Sequence, residues 1–486
     1  MVTEDQPYCE QRAHERSVSV DQDSITRIDT CQLAANSPIE DFNSAAKCLS
    51  SNAFLLGVFD GHGGQSCSRH VSVALFPYIC ASVLQKHEAS STMFSIFLAL
   101  THFHGIEAAD FQVKPLSLEN RLEWLFSSAD AHLPNLFINP QLENVEKYHK
   151  AFMKNKDLHT VREALKFAFE MCDEDLCRAA LPDNRGQIDR QENLFLKTNV
   201  IYSRSSAGLS VMTAASGSCA TLAHIRGCNL HVANVGDGAA VLGVVNPNGG
   251  VIARQLSRAH CIDNADEVHR IRASHPTSET HVLRGGRLLG ELYPLRAFGD
   301  VRFKWPLDLQ KVVLEPLGSP APPNLHTPPY LTVSPEVFYH KLTANDKFLV
   351  LATDGLWEWL DPDTVVRLVH DHTLGTMTLQ PYQPKSSATL KEVLLDLQER
   401  KIGEKSHKKP IDENCATHII RHALGGVSGG QSKQYERLID ILQIPPGRAR
   451  NYRDDISVIV VHFNEKYLEE SDSSAVAPEA IEMQAK

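Results

Sequence analysis

Short apolar runs that stop at, or start from, an aspartate punctuate this chain. Phe54-Leu55-Leu56-Gly57-Val58-Phe59 is continuous and ends at Asp60-Gly61, which predicts a buried strand delivering a polar turn. Ala220–Ile225 and Leu230–Asn234 flank Arg226-Gly227-Cys228-Asn229, a pattern that predicts a hairpin, and its second arm leads to Asp237. A further run, Ala239–Val245, follows. Phe348–Ala352 predicts another buried strand leading to Asp354, and Ile456–Phe463 predicts one that begins just after Asp454. Three strands therefore end at an aspartate and one begins at one. If those ends share a rim, the carboxylates converge.

Between the strands the period changes. Leu158, Val161, Leu165, Ala168, Cys172 and Leu176 keep a three-or-four spacing, predicting an amphipathic helix across Asp157–Ala180. The region from about 85 to 213 carries none of the acidic turns and reads as inserted or supporting helical structure. Ser319–Pro329 is Pro-rich, a stiff surface loop. Arg400, Lys401, Lys405, Lys408 and Lys409 form a basic patch whose default reading is a solvated loop. Residues 1–26 read as a flexible segment and 464–486, rich in Glu, Ser and Ala, as a disordered tail. A length of 486 residues suggests about three domains. One site drawing on Asp60 and on Asp454 requires instead a single domain, 27–463, carrying inserts.

Composition narrows the class. With 42% hydrophobic and 22% charged residues the chain is globular. A formal charge of -11 argues against a general nucleic-acid binder, which needs a basic surface. No apolar run approaches the roughly 20 residues of a membrane span. Eleven scattered cysteines, an odd number, favour reduced thiols, and Cys172 and Cys177 read as helix-face residues rather than a metal motif. The acidic Met1–Ser24 stretch does not read as a mitochondrial transit peptide, so cytoplasm is one expected location.

The candidate chemistry lies in five acidic signatures: Asp60-Gly61-His62-Gly63-Gly64, Gly236-Asp237, Phe298-Gly299-Asp300, Asp354-Gly355-Leu356-Trp357 and Arg453-Asp454-Asp455. Hard divalent ions take carboxylate, carbonyl and water oxygens, so dispersed aspartates of this kind fit Mg²⁺ or Mn²⁺. Each signature has a plainer reading by itself. A strand-end aspartate is commonly a turn former, Gly63-Gly64 a sharp turn, His62 a satisfied surface histidine, and Trp357 and Trp359 core residues. The joint order outweighs those readings.

In that order, and with Glu40-Asp41 before them, the signatures resemble the motifs of the metal-dependent serine/threonine protein phosphatases of type 2C over about residues 27–463. Gln32–Asp41, Phe298–Trp305 and His326–Leu331 resemble the branch of that family that acts on pyruvate dehydrogenase. The resemblance implies an α+β fold, a four-layer αββα β-sandwich with helices on both outer faces. It implies that Asp60 bridges two metal ions, the Gly61 carbonyl binds one, and Asp354 and Asp454 complete the other. Glu40 would hold a metal-bound water, Asp237 and Asp300 match a weaker third ion, and His62 would be the general acid in hydrolysis of phosphoserine by a metal-activated water. It further implies phosphorylated pyruvate dehydrogenase as partner, docking to the lipoyl domain of the acetyltransferase core, a regulatory subunit and a mitochondrial matrix location.

The chain also departs from the family pattern. Asn36, by the resemblance the residue at the substrate phosphate, stands where many members carry an arginine that clamps it; it donates hydrogen bonds but has no charge, so phosphate binding is expected to lean more on the metals. Gly238-Ala239 replaces the usual Ser-Arg after the Gly-Asp pair, and Arg258-Ala259-His260 lacks an aspartate before the histidine. Two other readings stand beside the first: a cytosolic phosphatase with other substrates, and a silent pseudophosphatase that only binds partners.

Overall fold

The computed structural model describes residues 14–49, 51–83, 122–129, 160–181, 206–374, 389, 391–392, 412, 414–427, 431–445 and 447–473. The basic patch at 400–409 and most of the 85–213 region lie outside them. The chain divides into two compact units, each drawing on separate stretches of sequence.

The first unit (1–39, 240–255 and 343–467) is built on a six-stranded sheet. Its spatial order is Arg16–Gln22, Ile25–Leu33, Ile456–Phe463, Asp346–Ala352, Ala239–Val245 and Val251–Gln255. The Ile456–Phe463 strand is the hub: Ile456 faces Leu33 on one side, and Val458 faces Ala352 on the other. Pro362–Thr373, Cys415–Gly425 and Gln431–Leu442 supply the helical layer. Asp361 caps the first of these by accepting the Thr364 N–H at 2.9 Å, with Pro362 at the helix start. Asn414 caps the second through the Ala416 and Thr417 N–H groups. Ile419, Ile420 and Val366 pack with Val350, Val458 and Val460 in one core.

The second unit (40–239, 256–342 and 468–486) carries an antiparallel sheet. The order is Glu336–Lys341, Asn229–Val235, Ala220–Arg226, Ala53–Phe59, Phe42–Cys48 and Leu122–Ser127. Helices Ser66–Ser82 and Val161–Ala179 pack on it through Leu75, Phe76, Leu165 and Phe169. Thr160 and Glu163 form a reciprocal capping box at the start of the second helix. Each unit is thus a sheet with a helical layer, and together they supply the two sheets and two helical layers of the expected α+β class.

The predicted strands and the hairpin at Arg226–Asn229 are present, the turn carried by Gly227 at φ 54°. The helix expected over 157–180 runs Val161–Ala179. Three local expectations need correction. Residues 16–22, expected to be flexible, form an edge strand, because a tight turn with Asp21 and Asp23 at positive φ folds them back onto Ile25–Leu33. Leu122–Ser127, within the region expected to be helical, is a strand closing the edge beside Phe42–Cys48. Glu465–Ser473, expected to be disordered, is helical. No disulfide joins any of the ten cysteines among the described residues. No helix among the described residues is long and apolar enough to cross a membrane.

Candidate metal centre

In the second unit, register alone brings two signatures to one rim. Val58 pairs with Thr221, and Thr221 with Asn234, so the strands leading to Asp60 and to Asp237 finish at the same end. Asp60 and Asp237 present carboxylate oxygens within 4.8 Å of each other. Asp60 is anchored through its carbonyl, which accepts the Cys219 N–H at 2.8 Å. Gly61 is required by space: a Cβ there would sit 2.2 Å from the Glu40 carbonyl oxygen and 2.4 Å from Ser68 Oγ. That contact sets Glu40 directly beside Gly61, and Ser68 Oγ donates to the Glu40 carbonyl.

A small three-stranded sheet, Phe298–Gly299, Gly217–Ser218 and Gly61–His62, then joins two further signatures. His62 pairs with Gly217, and Gly217 with Gly299. As a result His62 Nε2 lies 2.6 Å from Asp300 Oδ2. Asp300 holds a left-handed backbone (φ 51°), and its N–H donates to the Ser216 carbonyl. The preceding Gly299 N–H donates to Asp173 Oδ1 at 2.7 Å, and Asp173 Oδ2 in turn receives the Lys304 ammonium at 2.7 Å. Burial disfavours a charged His62 ring, but the negative charges of Asp300, Asp237 and Glu40 outweigh it and raise its pKa. Burial also raises the Asp237 carboxyl, which accepts a hydrogen bond from the Cys219 thiol at 3.1 Å.

In the first unit the rim is again set by register. Thr353 donates to the Ser457 carbonyl, placing the turn at Asp354 against the turn before Ile456. A Cβ on Gly355 would lie 2.1 Å from the Asp455 carbonyl oxygen and 3.2 Å from Asp454 Cβ, so Asp354 and Asp454 stand on touching turns. Burial raises the Asp454 carboxyl against the pull of Arg450, which is ion-paired to Asp454 Oδ2. Asp455 faces the other way and ties the segment after Leu33: its Oδ1 accepts the Ala35 and Asn36 N–H groups, and its Oδ2 accepts Asn36 Nδ2 at 3.1 Å.

Sequence reasoning named Asp60, Gly61, His62, Glu40, Asp237 and Asp300, and the second unit gathers all six. Asn36, Asp354 and Asp454 fall in the first unit. It did not foresee the pairing of His62 with Asp300, the role of Gly217 between them, or Arg450. Only the bare Ser216-Gly217-Ser218 before an apolar run hinted at the second. Trp357 is partly buried with its Nε1–H on the Ala352 carbonyl, whereas Trp359, expected in the core, is 41% exposed. The departure at Arg258-Ala259-His260 is accommodated. His260 Nδ1 accepts the Gly236 N–H, burial holds its pKa at about 3, and Arg258 pairs with Glu336 and Asp266.

Asp29, Cys415 and His462 form a second gathering of metal-ligand types, with ligand atoms within 4.8 Å. Asp29 is already committed there. Its Oδ1 accepts from Ser17 and Arg27, and its Oδ2 is bonded by the Cys415 N–H and His462. This is a buried hydrogen-bond hub rather than an ion site.

Hard oxygen donors beside a carboxylate-bound histidine define, as a class, a metal-dependent hydrolase. Residues 117–389 match the family model of protein phosphatase 2C. The chain is 40% identical over 461 residues to pyruvate dehydrogenase (acetyl-transferring)-phosphatase 1, mitochondrial, of Homo sapiens, covering 91% of this chain and 78% of that protein. Identity to the human phosphatase 2 of the same name is 36% over 458 residues, with the same coverage. A protein phosphatase 2C homolog of Schizosaccharomyces pombe is 30% identical over 470 residues, covering 93% and 84%. The chain belongs to the protein phosphatase 2C family, the metal-dependent protein serine/threonine phosphatases.

Proposed function

We propose that this chain hydrolyses phosphoserine on the pyruvate dehydrogenase complex and so reactivates it. The observation that carries the substrate is the 40% identity spread over 91% of the chain to phosphatases bearing that name. The catalytic domain runs from the Arg16–Gln22 edge strand through Ile456–Phe463. Asp60, the Gly61 carbonyl, Asp354 and Asp454 hold two Mg²⁺ or Mn²⁺ ions, Glu40 orients a water, and Asp237 and Asp300 are the positions for a weaker third ion. The donor set fits, being hard oxygens with no side chain at Gly61 to obstruct its carbonyl. Bound there, such ions neutralise phosphoryl charge and lower the pKa of the attacking water.

The chain's own groups do the rest. Asp300 fixes the His62 ring through Nε2, and neighbouring carboxylates favour its protonated form. His62 delivers that proton to the departing serine oxygen, a leaving group too basic to depart as an anion. Phosphorylated pyruvate dehydrogenase is the partner, with the lipoyl domain of the acetyltransferase core and a regulatory subunit as further partners, in the mitochondrial matrix.

The test is phosphate release from phosphorylated pyruvate dehydrogenase and from an unrelated phosphoprotein, with Mg²⁺ and with chelator. Mg²⁺-dependent release favouring the dehydrogenase is expected. Equal release from both removes the substrate, and no release from either removes the activity.

A further inference from the structure

A phosphomonoester dianion is best held by a guanidinium, which donates two parallel hydrogen bonds to it. Asn36 carries no charge, and its backbone N–H and one of its Nδ2 hydrogens are held by Asp455, at 2.8 and 3.1 Å. Two arginines of the first unit stand by Asp454. Arg453 is buried and spends Nη2 on the Ala34 carbonyl at 2.6 Å and Nη1 on the Asp454 carbonyl at 3.2 Å. Arg450 differs. It lies on the short turn Ala449–Asn451, its side chain is 51% exposed, and it is ion-paired to Asp454 Oδ2. The charges of Asp354 and Asp455 also act on it.

We propose that Arg450 binds the phosphate of the substrate, and that it is parked on Asp454 until a divalent ion takes that carboxylate. The inference rests on the metal-centre reading above. Asp454 cannot give the same oxygen to a guanidinium and to a hard dication. The dication, with twice the charge and a shorter contact, prevails. Only the guanidinium is exposed, at 51% against 19% for Asp454, so Arg450 regains its hydration once the dication has replaced it on that carboxylate. Once released it remains tethered next to the carboxylates, its exposed face turned to whatever anion arrives. The arrangement couples the two events: the charge that would repel an incoming ion is freed by that ion to attract the substrate.

The test uses the full chain as wild type, Arg450→Ala and Arg450→Lys. Mn²⁺ alone is titrated calorimetrically, and kcat and KM are measured with an aryl phosphate, with inorganic phosphate as inhibitor. Loss of the competing cation in Arg450→Ala is expected to tighten Mn²⁺ binding about two- to five-fold. The same variant should raise KM and the phosphate inhibition constant about ten-fold or more, with kcat nearly unchanged. Arg450→Lys should fall between, since it keeps the charge and loses the fork. An unchanged KM in Arg450→Ala overturns the proposal whatever happens to Mn²⁺. Unchanged or weaker Mn²⁺ binding overturns the exchange at Asp454. Wild type that neither binds Mn²⁺ nor hydrolyses the ester overturns the metal centre itself, an outcome distinct from both.

Discussion

Gly217 is the residue whose replacement speaks most directly to the catalytic role proposed for His62. It lies between His62 and Asp300 in the small sheet, and a Cβ there would sit 2.0 Å from His62 Nε2 and 2.3 Å from Asp300 Oδ2. Ordinary contact begins near 3.4 Å, so in Gly217→Ala the ring must recede by about 1.4 Å and the carboxylate by about 1.1 Å. Either movement breaks the 2.6 Å bond that fixes the ring. Displacement of about 1 Å in a catalytic group costs on the order of 10²-fold, equivalent to about 2.7 kcal/mol of transition-state stabilisation. The loss should depend on the leaving group. Phosphoserine needs a proton on its oxygen, whereas an activated aryl phosphate departs as a stable phenolate. The assay is kcat on a phosphoserine peptide and on such an aryl phosphate, with a thermal melt to confirm folding. About 10²-fold loss on the peptide and under about three-fold on the aryl ester is expected. His62→Gln should show the same selectivity, and adding Gly217→Ala to it should cost little more, since both act through one group. Equal loss on the two substrates, or no loss in a folded variant, refutes the reasoning.

Three further outcomes can be checked. Mg²⁺ at a hundred times its Kd should stabilise the wild type by about 2.7 kcal/mol, and Asp60→Asn should abolish the shift, read by differential scanning calorimetry. Asp29 is held at about 2, because His462, Ser17 and Arg27 outweigh the burial that would raise it. Its folded pKa lies below the unfolded value. Its contribution, about 2 kcal/mol, is therefore present above pH 4 and lost as pH falls from about 4 to about 2. Asp29→Asn should lower the urea midpoint at pH 7 and flatten that acid limb; an unchanged midpoint counts against the hub. Burial also holds His224 and His260 at about 3 and His422 at about 4. These are depressed from the free value, so stability should be complete above about pH 6.5. Each should cost roughly 1.4 kcal/mol per pH unit below that. Constant stability between pH 7 and 5 would contradict it.

Strands such as Ala53–Phe59 and Ile456–Phe463 were legible because a fully buried strand writes itself as an unbroken apolar run. Ile25–Leu33 and Phe42–Cys48 were not. Asp29, Gln32 and Ser44 are buried there but polar, satisfied by distant groups that no local pattern reveals. Asp29 looks like a surface residue until Cys415 and His462 are placed against it from 386 and 433 residues away. Arg16–Gln22 was hidden for the opposite reason: an exposed edge strand carries little apolar signal.

The site divides along the same line. A metal-binding carboxylate is recognisable from its own neighbours, because it needs a strand end and a glycine turn. A residue that acts through another is not. Nothing around Asp300 in sequence announces His62, 238 positions away; only the register His62–Gly217–Gly299 does. Arg450 shows the limit from the other side. Its partner is four residues off and plainly visible, yet an arginine so placed reads as an ordinary helical-spacing ion pair. What distinguishes it is that Asn36 and Arg453 are already engaged, a fact of three-dimensional commitment. Which cation stays available to an incoming anion is therefore a property of the folded chain and not of any local stretch of its sequence.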